Sequence, residues 1–556
     1  MDTTTHISKM NVPRPSFEAV EKEYAKLWKQ LDARDYDGAL RGWDALRRDL
    51  GTYGSLARLR FSQDTTDDAA RKEREFADEF FPRIEDFETK FKRHLIAHKS
   101  ALAPKIGTHV FDLWNADVAS FEPALEADLV RESKVASKHP ELSASARIEF
   151  DGGTYNLSQL RKFTLDPDRD VRHRGEKARW AWFAEHAEEF DSIYDELVET
   201  RTKMARELGH ENYVPLGYLR RQRIDYDAAD VARFRREVRQ HVVPIAQAII
   251  ERQAQTLGVD EVMVWDEAVF DPDGGPGLTK SGDELLAAAQ TMFDSLHPDI
   301  GVFFKTLNER GLLDLEARNG KAPGGFCTTL ENWDAPFVFA NFNGTRGDVE
   351  VFTHEMGHAF QCFSSMKNFP CDLIWPTLES CEIHSMSLEF LCWPHMELFF
   401  GDEADRFRRA HLAESLTFLP YGCAVDHFQH LIYEHPDASV EDRYEMWQEM
   451  EALYLPWRNW GDIDHGANGG RWHGQGHIFS SPFYYIDYVL AMTCALQFWD
   501  RSQRDFQGSM DAYVELCRRG GEAPFQELAR SAGLRSPFEE GCLESAAARA
   551  REYLDL

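Results

Sequence analysis

Cysteine is absent from the first 326 residues of this 556-residue chain, and none of its nine cysteines lies in a CxxC pair. The odd number and the spacing argue against a disulfide framework and against a cysteine zinc site. Cys381, Cys392 and Cys494 lie within apolar runs, which is typical of buried, reduced thiols. This cysteine usage predicts a reducing compartment, and we expect the chain to be cytoplasmic.

Basic residues and long apolar runs are also scarce. Lys and Arg number 63 against 95 Asp and Glu, which gives a formal net charge of −32. Such a polyanion repels phosphate backbones, so no nucleic-acid partner is expected. No stretch approaches 18 apolar residues, and the first twenty residues lack a basic segment followed by an apolar run. We therefore expect neither a membrane partner nor a secretory signal.

Helical periodicity dominates the first 320 residues. Ser16 is a predicted N-cap for an apolar stripe that runs to Leu31, and further amphipathic stretches cover 72–100, 174–208, 228–257 and 282–310. Residues 336–342, PFVFANF, instead alternate like a short strand. The pattern predicts a mainly helical protein with a small sheet, and the length favours more than one lobe.

Residues 354–358, HEMGH, contain two histidines four positions apart and a glutamate after the first. Positions i and i+4 share a helix face, so both imidazoles could bind one zinc ion at about 2 Å. Glu355 is rotated by one position and could reach water bound to that metal, as in zinc peptidases. Gly357 weakens the helix, which predicts close approach by another element.

A catalytic zinc site needs a third protein ligand. The apolar helix predicted over Thr377–Trp393 offers Glu382 and Glu389, which share one face. Because a buried carboxylate needs a cation or strong donors, we predict that zinc satisfies one of these two glutamates. The second ring nitrogen of a ligand histidine would satisfy the other. Glu379, one turn earlier, is an alternative third ligand.

These motifs together have a familiar arrangement. HEMGH, followed 24 positions later by EIHSMSLE, resembles the oligoendopeptidase F group of the thimet oligopeptidase family of zinc peptidases. KAPGGFC and PFVFANFNGT before the HExxH helix, and FYYIDYVLA after a glycine-rich loop at 461–482, agree with the same family. The resemblance extends from about residue 200 to the C-terminus, whereas only length and helical character agree upstream.

The resemblance implies a role for each matching residue. His354, His358 and Glu382 resemble the three zinc ligands, with one zinc ion per chain. Glu355 resembles the general base that acts on a zinc-bound water. Glu389 corresponds to a carboxylate that supports the ligands without binding the metal itself.

The family also carries a histidine and tyrosines after the glycine-rich loop, and these stabilise the transition state. The matching candidates here are His477, Tyr485 and Tyr488 for catalysis, and Tyr484 for substrate contact. His473 is a further candidate substrate contact. Which tyrosine is the main donor stays open.

The strand predicted at 336–342 could hold the substrate backbone by edge pairing. Phe339 and Asn341 on this strand are the candidate substrate contacts. A purely structural edge strand fits the pattern equally well.

The fold implied by the resemblance is mainly α. It is a two-lobed helical body with a small β-sheet beside a HExxH zincin-type helix and a deep substrate channel. Residues 1–200 would form an N-terminal helical region and residues 201–556 the catalytic region. The expected activity is zinc-dependent hydrolysis of internal bonds in short, unstructured oligopeptides.

Two other functions remain possible at this point. A helical peptide-binding protein could keep the channel without the chemistry, although binding alone does not need Glu355. A metal-dependent hydrolase of another amide is the third option. The oligomeric state stays open.

Overall fold

The computed structural model describes residues 4–272 and 274–556. The chain forms two compact units, which agrees with the predicted two lobes. Unit 1 comprises Met1–Ala119, Gly277–Ala404 and Cys494–Ser536, and unit 2 comprises Ser120–Pro276, Asp405–Thr493 and Pro537–Leu556. The predicted division into residues 1–200 and 201–556 stays a prediction.

Helices make up most of the chain. The helices of the first half are α1 (Phe17–Asp32), α2 (Tyr36–Gln63), α3 (Asp68–Ala97), α4 (Lys99–Ile106), α5 (His109–Ala119), α6 (Glu126–Ala144), α7 (Leu157–Thr164), α8 (Arg169–Glu185), α9 (Ala187–Glu207), α10 (Tyr213–Arg220), α11 (Ala228–His241) and α12 (Val243–Leu257). Those of the second half are α13 (Gly282–Leu296), α14 (Pro298–Glu309), α15 (Gly347–Ser365), α16 (Leu378–Leu391), α17 (Glu397–Phe400), α18 (Ala404–Glu434), α19 (Val440–Tyr454), α20 (Asp464–Ala467), α21 (Gly476–Ser480), α22 (Tyr485–Ser502), α23 (Phe506–Arg519), α24 (Phe525–Ser531) and α25 (Glu544–Leu554). Among the described residues, no helix combines the length and the apolar character needed to cross a membrane.

In the part of the chain that the structure describes, the strands form two small sheets. A hairpin in unit 2 joins β1 (Ile148–Phe150) to β2 (Gly153–Tyr155), and unit 1 holds β3 (Leu313–Glu316), β4 (Phe326–Leu330) and β5 (Ala335–Phe342). The order in the second sheet is β3-β5-β4, with β5 parallel to β3 and antiparallel to β4. The prediction that 336–342 is an edge strand is therefore wrong, because both sides of β5 are paired.

Helix starts follow local chemistry. Ser16 caps α1 as predicted, since its Oγ accepts a hydrogen bond of 3.2 Å from the backbone N–H of Ala19. The amphipathic stretches at 228–257 and 282–310 each form two helices instead of one. The second helix of each pair carries a proline, Pro244 or Pro298, in its first turn. Proline lacks the N–H that would continue the preceding helix, so each stretch breaks at the turn that holds it.

The apolar face of α15 anchors this helix in unit 1. Phe352 and Phe360 are almost fully buried, and their rings lie 5.9 Å and 5.5 Å from those of Phe304 and Phe303 on α14. Contacts between aromatic rings at such distances fix a helix both by burial and by ring geometry. The polar face of α15 is thereby held in one orientation.

The connection between α15 and α16 is held by the N-terminal helices of the same unit. Arg47 of α2 donates hydrogen bonds of 2.8 Å and 2.7 Å to Asp372, and the indole N–H of Trp114 donates one of 3.0 Å to the same carboxylate. Burial raises the pKa of Asp372, but Arg47 outweighs it and the pKa falls to about 2. The carboxylate is therefore charged at neutral pH and fixes the turn that leads into α16.

Candidate active site

Gly357 lies where α15 meets α16. A Cβ added at this position would lie 2.5 Å from the carbonyl oxygen of His384 and 2.6 Å from Cα of Ser385. These distances are far inside van der Waals contact, so only glycine allows the two helices to approach this closely. The close approach predicted from the sequence is confirmed.

Three side chains from these two helices converge on one point. Nε2 of His354 and Nε2 of His358 lie 3.3 Å and 3.4 Å from Oε2 of Glu382. Oγ of Ser385 donates a hydrogen bond of 3.0 Å to the same carboxylate oxygen. Glu382 is only 4% exposed, so this carboxylate is desolvated and depends on its neighbours.

Glu389 contacts His354 on the side of the ring that faces away from Glu382. Its Oε1 lies 2.8 Å from Nδ1 of His354. Glu389 follows Glu382 by seven residues, which is about two helical turns. Because a carboxylate only accepts, Nδ1 of His354 carries the proton and Nε2 faces Glu382 with its lone pair when the ring is neutral. The partner predicted for Glu389 is thus present.

The electrostatics of this group favour a positive charge. Burial lowers the pKa of His354, but the hydrogen bonds and charges of Glu382 and Glu389 outweigh it and raise that pKa well above its usual value. Burial likewise raises the pKa of Glu382, and the two histidines reverse this and hold it well below its usual range. A proton or a metal ion can supply the charge, and the two compete for the same atoms.

The spacing of the three ligand atoms fits a zinc ion. Ligands at 2.0–2.1 Å from a tetrahedral zinc are about 3.3–3.4 Å apart, which matches both contacts to Glu382. Both contacts are longer than the roughly 2.7–2.9 Å of charge-assisted hydrogen bonds. Within the described ranges, His354, His358 and Glu382 form the one group of His, Cys, Asp or Glu side chains with metal-binding spacing. The alternative ligand Glu379 lies outside it.

Glu355 lies beside this group with its carboxyl group buried. The side chain is 7% exposed, and Oε2 has no hydrogen-bond partner among the residues that the structure describes. Burial raises the pKa of Glu355, and the neighbouring histidines only partly offset that rise. A carboxylate with a raised pKa and an unused acceptor oxygen is suited to take a proton.

The edge strand β4 runs past the site. A Cβ at Gly325, just before β4, would lie 3.4 Å from Oε1 of Glu355. Near the other end, Thr329 accepts a hydrogen bond of 2.7 Å from the indole of Trp375, whose ring lies 6.4 Å from that of His358. Within the described residues, β4 is paired on one side only. β4 is therefore an edge strand that begins beside Glu355, a role that sequence reasoning assigned to β5.

The predicted histidine and tyrosines form a second cluster, within unit 2. The ring of His477 lies 5.1 Å from that of Tyr485 and 6.0 Å from those of Tyr484 and Tyr488. Burial, reinforced by Tyr421, raises the pKa of Tyr485 well above its usual value. The phenol therefore stays protonated at neutral pH and can donate.

Gln475 and Tyr421, which sequence reasoning missed, orient His477. The hydroxyl of Tyr421 donates a hydrogen bond of 2.6 Å to Oε1 of Gln475, and Nε2 of Gln475 lies 3.0 Å from Nδ1 of His477. The amide nitrogen is a donor, so Nδ1 accepts and the proton of the neutral imidazole sits on Nε2. No local sequence signal connects residues 421 and 475.

Arg223 holds the start of α22 in the same unit. Its guanidinium donates to the carbonyl of Phe483 and, at 2.7 Å, to Asp487. Both members of this ion pair are fully buried. The first turn of α22, which carries Tyr485 and Tyr488, is thereby fixed.

The other candidate substrate contacts lie in structural environments. His473 is fully buried, with its ring nitrogens 3.0 Å from Asp191 and 3.2 Å from His465. Phe339 is fully buried on β5, and the amide of Asn341 donates to backbone oxygens of residues 322 and 324. Their predicted contacts with substrate stay predictions.

Comparison with known families identifies this arrangement. Residues 7–121 match the model of the peptidase M3 N-terminal domain, and residues 163–273 and 291–548 match the model of peptidase family M3. The second match alone covers more than half of the chain. The chain belongs to peptidase family M3. Because it belongs to this family, the chain is a peptidase, and its substrates are peptides.

Solved structures related to this M3 peptidase agree over the whole chain. Pz peptidase A with an inhibitor is 41% identical, with 99% of each chain covered and a TM-score of 0.94. A structure assigned as an oligoendopeptidase F is 42% identical, with 99% of each chain covered and a TM-score of 0.94. Another, from Bacillus anthracis strain Ames, is 39% identical over 99% of this chain and 98% of that one, with a TM-score of 0.89.

These likenesses confirm the resemblance to oligoendopeptidase F and the mainly helical fold class. A comparison with curated proteins gave no significant match.

Proposed function

We propose that this M3 peptidase is a zinc-dependent endopeptidase that cleaves internal bonds of short, unstructured oligopeptides. The observation that carries the proposal is the convergence of His354, His358 and Glu382, with ligand atoms at the spacing of a zinc tetrahedron. When bound, a zinc ion supplies Lewis-acid polarisation of the peptide carbonyl and lowers the pKa of water.

Glu355 is the proposed general base. Its buried carboxyl group has an oxygen without a partner in the described residues and a pKa raised by burial. It accepts the proton of the attacking water and then delivers that proton to the departing amine. Glu389 keeps the proton of His354 on Nδ1, so that Nε2 remains a lone-pair donor.

The proposed donors to the developing negative charge are His477 and a tyrosine hydroxyl. Gln475 directs the proton of His477 to Nε2, and the raised pKa of Tyr485 keeps its hydroxyl protonated. Tyr488 is the other candidate hydroxyl, and Tyr484 a candidate peptide contact. Such donors stabilise the transition state more than the substrate.

The peptide backbone is proposed to add to the free edge of β4. Strand β4 begins beside Glu355 and ends beside Trp375, so an extended peptide paired with it would pass the proposed base. Backbone hydrogen bonding along a strand edge requires an unfolded segment of the substrate. This requirement supports oligopeptides rather than folded proteins as substrates.

Replacement of Glu355 tests the function directly. Glu355→Gln should retain zinc but lower the cleavage of a quenched fluorescent oligopeptide about 100- to 10,000-fold, the usual contribution of a general base. Glu350→Gln on the same helix is the matched control, because Glu350 bonds to Arg346 and should leave turnover near the wild-type value. Unchanged turnover in Glu355→Gln would defeat the assignment.

A further inference from the structure

Unit 1 contains a cavity of about 500 Å³ beside β4. Its walls come from α2, α3 and β4, and it lies outside the group of His354, His358 and Glu382. The charged side chains that line it are Arg58, Arg74 and Asp78. The cavity therefore adjoins the strand edge at which a peptide is proposed to bind.

The side chains of β4 show which face of the strand looks toward the cavity. Oγ1 of Thr328 donates a hydrogen bond of 3.2 Å to Ser55 of α2, whereas Oγ1 of Thr329 lies 3.4 Å from Sγ of Cys362 on α15. Successive side chains of a strand point to opposite faces. A peptide paired with β4 would thus direct every second side chain to the α2 face, toward the cavity.

The charge of the cavity is positive. Arg74 is neutralised by Asp78 at 2.8 Å, but Arg58 is exposed and has no hydrogen bond or ion pair to any residue that the structure describes. Among the other arginines of α2, Arg47 and Arg48 bind aspartates, Arg60 binds the carbonyl of Met10, and the guanidinium of Arg41 lies 5.4 Å from the ring of Phe369. Of the two guanidinium groups in the cavity wall, that of Arg58 is thus the one available to an anion.

We infer that Arg58 is a specificity-determining residue that binds a carboxylate of the peptide substrate. The inference rests on the proposed function, because the peptide lies along β4. A guanidinium presents a planar fork that matches a carboxylate. The carboxylate is the side chain of an acidic residue near the scissile bond or the C-terminal group of a short peptide.

The test compares quenched fluorescent peptides that differ by one charge. Each position around the cleaved bond carries Glu, Gln or Lys in turn, and kcat/KM is measured for wild type, Arg58→Met and Arg58→Glu. Wild type should prefer Glu over Gln at one position by about two- to fivefold, the range of a partly exposed ion pair. Arg58→Met should lose this preference, and Arg58→Glu should prefer Lys at that position.

Two controls isolate the effect. Arg41→Met removes the same charge from an exposed position of α2 away from the cavity and should keep the Glu preference. Arg58→Lys should retain part of it. Peptides with a free or an amidated C-terminus identify the source of the carboxylate. A preference lost on amidation indicates the C-terminal group, and one that persists indicates a side chain.

The outcomes separate this inference from the proposed function. If Arg58→Met keeps the full Glu preference, or slows the neutral peptide as much as the acidic one, the inference is overturned while chelator-sensitive cleavage still supports the function. If wild type cleaves no peptide, the function fails. In that case, fluorescence anisotropy measures the binding of labelled Glu and Gln peptides to wild type and to Arg58→Met. Tighter binding of the Glu peptide by wild type alone would support the carboxylate contact. Equal binding of both peptides by wild type would disprove it.

Discussion

Nδ1 of His354 lies 2.8 Å from Oε1 of Glu389, and the opposite nitrogen of the same ring lies 3.3 Å from Glu382. One imidazole thus connects two carboxylates of α16. The Glu389 contact orients the ring and raises its basicity, and the Glu382 contact marks the proposed metal position.

Glu389→Gln should weaken zinc binding about 10- to 100-fold, since the ring loses its charged acceptor while the three proposed ligands remain. Competition with a chromophoric chelator measures this affinity. Glu397→Gln, an exposed carboxylate on α17, is the control and should change the affinity less than about twofold. Wild-type affinity in Glu389→Gln would show that the contact does not support the site.

Gly357→Ala should separate α15 from α16, because the new methyl group would meet backbone atoms of residues 384 and 385. We expect a loss of about 1–3 kcal/mol in the free energy of unfolding, together with weaker zinc binding. Gly51→Ala on α2 is the control, since its Cβ meets only the flexible tip of Glu331 at 3.3 Å. Thermal unfolding of both variants, with and without zinc, provides the comparison. Equal melting temperatures would contradict the close contact.

His477→Ala should lower kcat about 100- to 1,000-fold with little change in zinc content, because it removes one donor to the transition state. Gln475→Leu should have a smaller effect of the same kind, since it only releases the orientation of His477. Steady-state kinetics that separate kcat from KM decide between these roles. A rise in KM alone would assign His477 to substrate binding instead.

Asp372→Asn should destabilise unit 1 at neutral pH by about 3–5 kcal/mol, because Arg47 remains buried without its counterion. The folded pKa of Asp372, about 2, is lower than the roughly 3.9 of an exposed aspartate. The charged carboxylate therefore stabilises the fold above about pH 4, and this stabilisation is lost as the pH falls toward 2. The difference in melting temperature between wild type and variant should shrink over that range.

Asp37→Asn is the control for this prediction. Asp37 forms an exposed ion pair with Lys105, so its loss should change stability by less than about 1 kcal/mol. A similar loss of stability in both variants would show that the buried pair with Arg47 stabilises the fold no more than an exposed ion pair does.

The metal helix and its partner were predictable because their signals are local. Two histidines at i and i+4 and two glutamates seven apart define helix faces within a few turns of sequence, and the structure brings those faces together. Pro244 and Pro298 were also visible, and they should have divided the two long amphipathic stretches into shorter helices.

The remaining features depend on contacts between distant residues. The central place of β5 follows from its pairing with β3, more than twenty residues earlier, which no alternation pattern encodes. The Arg47–Asp372 pair spans 325 positions, and the Tyr421–Gln475 bond spans 54. Such pairings depend on the packing of the whole unit. The sequence therefore contains both residues of each pair but does not reveal that they are partners.

Metal content is the most direct test of the proposed zinc site. After gel filtration in buffer with trace zinc, elemental analysis of wild type should find one zinc ion per chain, and His358→Ala and Glu382→Gln should each lose most of it. The Glu350→Gln control should keep the wild-type amount. Wild type without zinc, or full zinc content in Glu382→Gln, would contradict the convergence of two imidazoles and one carboxylate on a single ion.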